Sequence, residues 1–299
     1  MKKILIADSL DEKALDQIKA SPSFEVTVKT GMDEAELVKT IPGFNAIVVR
    51  GATKVTRNAI AASTNLELIL RAGIGLDNVD AAAAKEKGIA VANTPAATTI
   101  SVAEITMGLM LSAVRQLGRA NVSMKQHKWE KKALSGTELH GKTLGVIGGG
   151  RIGLAVAERA LAFGMSVLAY DVIDIKTTLP VRQVGLSELL ADSDIITLHL
   201  PKQPKYIIGR EEIAAMKDGA VIVNAARGGV VDEKALLEAL NSGKVRAAAL
   251  DVFEKEPPDD FALIDHPNVT AAPHIGAVAE EGQKRAGLEV VKILMERLG

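Results

Sequence analysis

Short aliphatic runs alternate along the chain with longer stretches whose apolar positions recur every three or four residues. The short runs at 3–7, 24–28, 46–49, 68–71 and 89–92 read as strands. The stretches at 10–20, 33–39, 57–62 and 79–87 read as helices, with Asp33 at the start of one and Gly88 just past the end of another. Acids belong at helix starts and glycine beyond helix ends, so these positions support the boundaries. Strand and helix in regular alternation predict β-α-β units and a parallel sheet.

A long helix is expected from 102 to about 125, and a second alternating series follows it. Its strands fall at 143–147, 166–169, 194–198, 220–224, 247–250 and 269–271, and its helices at 152–163, 186–190, 211–216, 233–241 and 277–297. The pattern predicts an α/β protein with two doubly wound parallel-sheet domains of unequal size. The apolar stretch 102–114 contains Glu104 and is too short to span a bilayer.

Composition narrows the reading. Hydrophobic residues make up 47% of the 299, but aromatic residues only 3%, so the core is built from Ala, Val, Ile, Leu and Met, as strands covered on both faces require. The absence of cysteine excludes disulfides, thiolate metal sites and a cysteine nucleophile. With 36 basic against 37 acidic residues there is no net field to attract nucleic acid. The N-terminal Met-Lys-Lys-Ile-Leu enters a strand directly and has no signal-peptide pattern, so a cytoplasmic protein without membrane association is expected.

The strongest local signal is the glycine-rich run at 145–153, where Gly148, Gly150 and Gly153 have G-x-G-x-x-G spacing between an aliphatic strand and an amphipathic helix. Gly148 permits the tight turn, Gly150 lets backbone approach a pyrophosphate, and Gly153 allows close helix–strand packing. Asp171 follows the next strand, 18 residues after Gly153, where an acid meets the adenosine ribose and disfavours a 2′-phosphate. NAD is therefore the expected cofactor, and the larger domain reads as a Rossmann dinucleotide-binding domain.

Other chemically capable residues also fall just beyond strands. His274 follows strand 269–271, and His199 follows strand 194–198; on position alone the two are rivals for an acid–base role. His127, His140 and His266 lie in polar connections and read as surface residues. Arg227 stands where a guanidinium can grip a carboxylate. Glu254 and Glu256 follow strand 247–250, either as a solvated loop or as a carboxylate that orients a histidine. In the first series Arg50 and the Arg71-Ala-Gly73-Ile74-Gly75 run offer cations and backbone amides suited to an anionic substrate.

These motifs occur together with Val-Val-Arg50-Gly-Ala-Thr-Lys-Val-Thr, Asn93-Thr-Pro, Ser101-Val-Ala-Glu, Lys128-Trp-Glu, Asn224-Ala-Ala-Arg-Gly-Gly, Ala249-Leu-Asp-Val-Phe and Pro273-His-Ile-Gly-Ala. Over nearly its whole length the chain resembles the D-isomer-specific 2-hydroxyacid dehydrogenases, and within them the phosphoglycerate branch. The resemblance implies that His274 is the acid–base group, Glu256 holds and polarises it, and Arg227 binds the substrate carboxylate and carbonyl oxygen. It implies that Ile74, Arg151, Ile152, Asp171, His199, Leu200, Pro201, Ala225, Ala226, Asp251 and Gly276 surround the dinucleotide with the glycine turn. Glu254 is then a bystander. Arg50, Gly73, Ile74, Gly75 and Lys131 are the implied substrate contacts, with Lys131 reaching the phosphate of a neighbouring subunit.

The same resemblance implies a discontinuous substrate domain of residues 1–97 plus 277–299, and an NAD domain of residues 98–276. It implies a homodimer or dimer of dimers built on the helix after Ser101. The chain departs from the family at Ala97 and Thr98, where Gly-Asn is frequent, at Lys131, where arginine is frequent, and at Gly149, where a larger residue is common. The chain stops soon after its last helix, so a C-terminal regulatory domain and feedback inhibition through it are not expected. The implied reaction is NAD-dependent oxidation of D-3-phosphoglycerate to 3-phosphohydroxypyruvate, the opening step towards L-serine. A glyoxylate or hydroxypyruvate reductase on the same scaffold is the alternative, and a non-enzymatic NAD-sensing protein the remote one.

Overall fold

The computed structural model describes residues 1–299 and resolves the alternation into two compact units, Met1–Thr99 with Ala277–Gly299, and Ile100–Gly276. In the first unit β1 (Lys2–Ile6), α1 (Glu12–Ala20), β2 (Phe24–Val28), α2 (Glu34–Thr40), β3 (Ala46–Val49), α3 (Arg57–Ala62), β4 (Leu68–Arg71), α4 (Ala81–Glu86) and β5 (Ala90–Asn93) follow in turn. The strands form one parallel sheet in the order β2-β1-β3-β4-β5. Its winding direction changes between β1 and β3.

Helix starts in this unit are set by side chains. Asp11, Asp33, Thr56 and Asp80 each accept the amide three residues on, from Ala14, Glu36, Ala59 and Ala83. Each such cap contributes about 1 kcal/mol.

The second unit contains α5 (Thr99–Arg115), α6 (Leu117–Lys125), β6 (Thr143–Ile147), α7 (Arg151–Ala162), β7 (Ser166–Tyr170), β8 (Val181–Gln183), α8 (Leu186–Asp192), β9 (Ile195–Leu198), α9 (Arg210–Ala215), β10 (Ala220–Asn224), α10 (Glu233–Ser242), β11 (Val245–Leu250) and β12 (Val269–Ala271). All seven strands are parallel, in the order β12-β11-β10-β9-β6-β7-β8. The order reverses beside β6, which opens a crevice at the carboxyl ends of β6 and β9. Two buried clusters, one on each face, sandwich this sheet; Ile196, Ile222 and Leu250 belong to one, Val146, Val221 and Ala249 to the other.

The last helix, α11 (Glu280–Leu298), belongs to the first unit. Its Ala286, Val290 and Leu294 are buried with Ile4, Ile6, Ile18 and Leu70. It crosses α1 closely at Gly287, where a Cβ would lie 2.7 Å from that of Ala14.

Two features differ from the sequence reading. The single helix expected over 102–125 is two helices, α5 and α6, bent by 68°. Gln116 at the break takes a left-handed conformation, φ 54°, and its side-chain amide donates to the Ser135 carbonyl at 2.8 Å. That bond holds a conformation the local pattern does not request. The strand β8 is only three residues long, two of them polar, too brief to register as a periodic run. No single helix is long and apolar enough to cross a membrane.

Leu294 is fully buried in the first unit's core. Leu294→Ala is expected to lower stability by about 3 kcal/mol, read as a lower urea midpoint, because the cavity it leaves sits between a rigid helix and a rigid sheet.

Candidate active site

The glycine-rich turn is built by close contact. At Gly148, φ 100°, a Cβ would lie 2.3 Å from the His199 carbonyl oxygen, and at Gly153 one would lie 2.0 Å from the Gly148 carbonyl oxygen. Neither position admits a side chain, so β6, α7 and β9 close on one another here. Gly149 lies under Ile175, whose Cδ1 would be 2.3 Å from a Cβ at that position. Ile175 thus fills the space that a larger residue would take. Gly150 occupies the cap position of α7 and no side chain caps the helix. Its first-turn amides and positive dipole end remain for an anion. Asp171, just past β7, accepts the Gly149 amide at 2.8 Å. A glycine cradle, an uncapped helix start and an acid at the next strand end fit a dinucleotide.

Three side chains meet at the other strand ends of the same unit. His274 Nδ1 lies 2.7 Å from Glu256 Oε2, while Glu256 Oε1 accepts the Phe253 amide at 3.0 Å. The bond to Glu256 raises the His274 pKa against the opposing effect of burial. Burial pushes Glu256 upward, but the bonds from His274 and Phe253, with the charges of His274 and Arg227, outweigh it and hold the carboxyl below its ordinary range. Arg227 is half-buried, donates from Nη1 to the Ala226 carbonyl at 2.6 Å, and lies close enough to bias both partners.

Supporting residues hold this trio. Asp251 is 1% exposed, and its two oxygens accept the Ile275 and Gly276 amides at 2.8 and 2.7 Å. Its carbonyl accepts the His274 amide at 2.8 Å, and His274 is thereby held at φ 54°. A β-carbon on Gly276 would press to 2.8 Å from Asp251 Oδ2. Gly228 packs against the backbone of Phe253, with 1.7 Å between a would-be Cβ and its carbonyl oxygen, so the Arg227 and Glu256 loops stack directly. Asn224, buried at the end of β10, accepts the Ala226 amide and donates to the Arg227 carbonyl. Glu254 is not a loose acid: its amide donates to Glu233 at 2.6 Å and its carboxylate accepts the Glu233 amide at 3.3 Å. Asn224 and Glu254 stand out in the sequence only as parts of the runs around Arg227 and Glu256, and Glu233, the partner of Glu254, carries no motif.

The surroundings of His199 differ from those of His274. The His199 Nδ1 is buried without a partner, Nε2 lies 2.9 Å from the Thr197 hydroxyl, and burial pulls its pKa down to about 3. It stays neutral where His274 titrates. Leu200 and Pro201 continue from it past β9; Ala225 and Ala226 are buried past β10, and Arg151 and Ile152 open α7. Lys131 begins an exposed 3-10 turn over Lys131–Ala133 and makes no ion pair within the chain.

In the first unit Arg50 follows β3 and Arg71 ends β4, its neighbour. Arg50 Nη1 donates to Gln283 at 3.2 Å, and Arg71 Nε to the Arg50 carbonyl at 3.0 Å. The Arg71 guanidinium overlies Gly73, which has φ 154°. The Ile74 carbonyl accepts the Asn93 side chain at 2.5 Å, and Gly75 ends the run.

Comparison with known proteins agrees with this architecture. Residues 107–276 match the family described as "D-isomer specific 2-hydroxyacid dehydrogenase, NAD binding domain". The chain is 53% identical to a hydroxypyruvate reductase of Thermotoga maritima, over 99% of this chain and 98% of that one. It is 51% identical to a D-3-phosphoglycerate dehydrogenase of Methanocaldococcus jannaschii, over 98% of this chain, and spans 56% of that protein's length. Among solved structures, a D-lactate dehydrogenase of Aquifex aeolicus complexed with NAD and lactic acid superimposes with a TM-score of 0.86 at 32% identity, covering 98% of this chain and 94% of that one.

Because its folded pKa is raised, His274 contributes stability that is fully present below its ordinary 6.5 and is lost as pH rises through the folded value. Glu256→Gln removes the largest raising influence and leaves burial dominant. The His274 pKa is then expected to fall below 6.5, followed by NMR titration of the ring. An unchanged titration would refute the coupling.

Proposed function

Since the chain belongs to the D-isomer-specific 2-hydroxyacid dehydrogenases and is an NAD-dependent oxidoreductase of that family, we propose that it oxidises D-3-phosphoglycerate to 3-phosphohydroxypyruvate. The carrying observation is the pair of guanidinium groups, Arg50 and Arg71, at neighbouring strand ends of the first unit. A 2-hydroxy acid with one carboxylate needs one cationic grip, which Arg227 supplies. A second cationic site suits a substrate with a second anionic group. The first unit is accordingly the substrate-binding domain and the second the NAD-binding domain.

The glycine turn at Gly148, Gly150 and Gly153 with Asp171 would hold NAD, which would supply the hydride chemistry at C2. The chain's own residues do the rest. Arg227 holds the carboxylate and the oxygen on C2, and fixes the face presented for reaction. His274 removes the hydroxyl proton in oxidation and returns it in reduction. Glu256 orients the imidazole and stabilises its charged form, so protonated His274 persists to higher pH than a free histidine. Neutral His274 is the form that oxidation requires, so the oxidative rate rises with pH through the His274 pKa while the reductive rate falls.

Hydroxypyruvate reduction is the second reading, favoured by 53% identity over nearly the whole length of the Thermotoga maritima hydroxypyruvate reductase. For the dimer expected on the helix after Ser101, support comes from Leu117, Val122 and Met124, exposed on α6, and not from the 102–114 face, whose Val102, Met107, Met110 and Val114 are buried in the second unit's own core. Light scattering at twice the 31.5 kDa chain mass checks it.

Following NADH absorbance with 3-phosphohydroxypyruvate, hydroxypyruvate and glyoxylate separates the readings. A clear preference in kcat/KM for the phosphorylated acid is expected, with Arg50→Ala raising its KM by about tenfold or more. Equal or better rates with the unphosphorylated acids favour the reductase. His274→Gln is expected to lower turnover by about 100-fold or more with NAD binding retained. Retained turnover in that variant removes His274 from the mechanism.

A further inference from the structure

Asp8 is a buried carboxylate that the reaction above does not use. It lies two residues past β1, at the point where the winding of the first sheet changes direction, and is 7% exposed. Open parallel sheets bind ligands at such points. No lysine or arginine pairs with Asp8. A buried acid without a counter-charge is costly unless hydrogen bonds repay it.

All of its donors come from one loop, the Arg50–Thr53 segment after β3. Asp8 accepts the Arg50 amide at 2.6 Å, the Thr53 amide at 3.2 Å and the Thr53 hydroxyl at 2.7 Å. The loop is gripped from its other side by Asn78, whose side-chain amide donates to the Arg50 carbonyl at 3.0 Å and the Thr53 carbonyl at 2.6 Å. Asn78 does so while its own Oδ1 stays buried without a partner. Both ends of the loop are therefore fixed through amide and carbonyl alike. The two residues between them, Gly51 and Ala52, are exposed, and their amides have no acceptor within the chain.

The second unit uses the same construction twice. Asp171 accepts the Gly149 amide of the glycine turn, and Asp251 accepts the amides of Ile275 and Gly276 beside His274. In each case an acid past one strand holds the loop that follows the adjacent strand, and both of those loops belong to the site already described.

We propose that Asp8 is a positioning residue that presets the Arg50–Thr53 loop as the receptor for the second anionic group of the substrate, a phosphate monoester. The free amides of Gly51 and Ala52 are the donors, and Arg50, whose guanidinium donates to Gln283 and the Ser9 carbonyl, opens the same loop. The inference rests on the phosphorylated substrate proposed above. Asp8 touches no substrate; it acts by holding backbone, and its loss selectively weakens recognition of the phosphate.

The test compares wild type with Asp8→Asn, which sets an NH2 against donor groups, and with the milder Thr53→Val, which removes only the hydroxyl donor. For each protein kcat and KM are measured with 3-phosphohydroxypyruvate and hydroxypyruvate, and NADH affinity by fluorescence titration. Asp8→Asn is expected to raise KM for the phosphorylated acid by about tenfold, and Thr53→Val by about threefold. In both variants kcat, the hydroxypyruvate KM and NADH affinity are expected to stay within about twofold of wild type. If Asp8→Asn does not fold, the Thr53→Val ratio decides. A wild type that prefers the phosphorylated acid, with variants that weaken both acids equally or neither, overturns the role of Asp8 alone. A wild type with no such preference overturns the substrate reading, and the proposal with it.

Discussion

An acid past the end of one strand takes the backbone amides of the loop after the neighbouring strand, and three such bridges shape the chemical edge of both sheets. A parallel sheet leaves every strand's last amides and carbonyls pointing towards its carboxyl edge, where the ladder stops. Left unmade, those bonds are expensive in a buried setting. Asp8, Asp171 and Asp251 take the amides of Arg50 and Thr53, of Gly149, and of Ile275 and Gly276. Each bridge converts a loose connection into a fixed loop, and each fixed loop keeps selected donors or side chains turned outward. Stability and recognition are thus supplied by the same bonds.

The bridge at Asp251 has the furthest consequences. It sets the backbone of residues 274–276, and His274 is held in a left-handed conformation that a non-glycine residue enters at a cost of about 1 kcal/mol. Two amide bonds and the carbonyl contact to His274 repay that cost. The imidazole then meets Glu256, whose loop is itself pressed against the Arg227 loop at Gly228. The three side chains come from the ends of β10, β11 and β12. Their geometry depends on backbone contacts between loops more than on contacts among themselves.

What the sequence discloses depends on how local the controlling interaction is. Helix starts are legible at Asp33 because the cap bond spans three residues. The glycine turn is legible because its three glycines lie within six residues of one another; the contact of Gly153 with the Gly148 carbonyl is local, whereas the one at Gly148 comes from distant His199. The break at Gln116 is not legible, because the bond that holds it comes from Ser135, and Asp8 is not, because its partners lie 42 and 45 residues away. Glu254 illustrates a different failure. A motif comparison that assigns Glu256 to His274 leaves Glu254 without a task, yet its reciprocal bonds with Glu233 tie the Glu256 loop to α10.

The two strand-end histidines show why position alone could not decide between them. Both follow buried strands, and both sit where such folds place ligands. His199 is enclosed against the Gly148 backbone, has only the Thr197 hydroxyl for company, and is kept neutral by burial. His274 is half open to solvent and has a carboxylate at 2.7 Å, which favours the charged ring. An acid–base group must exist in both protonation states near the working pH and must reach its substrate. His274 is open to solvent and its charged form is favoured by Glu256, whereas His199 is enclosed and stays neutral. The neutral, enclosed ring is suited instead to shaping the wall of the crevice beside the glycine turn, where a fixed charge would have to be desolvated each time a dinucleotide entered.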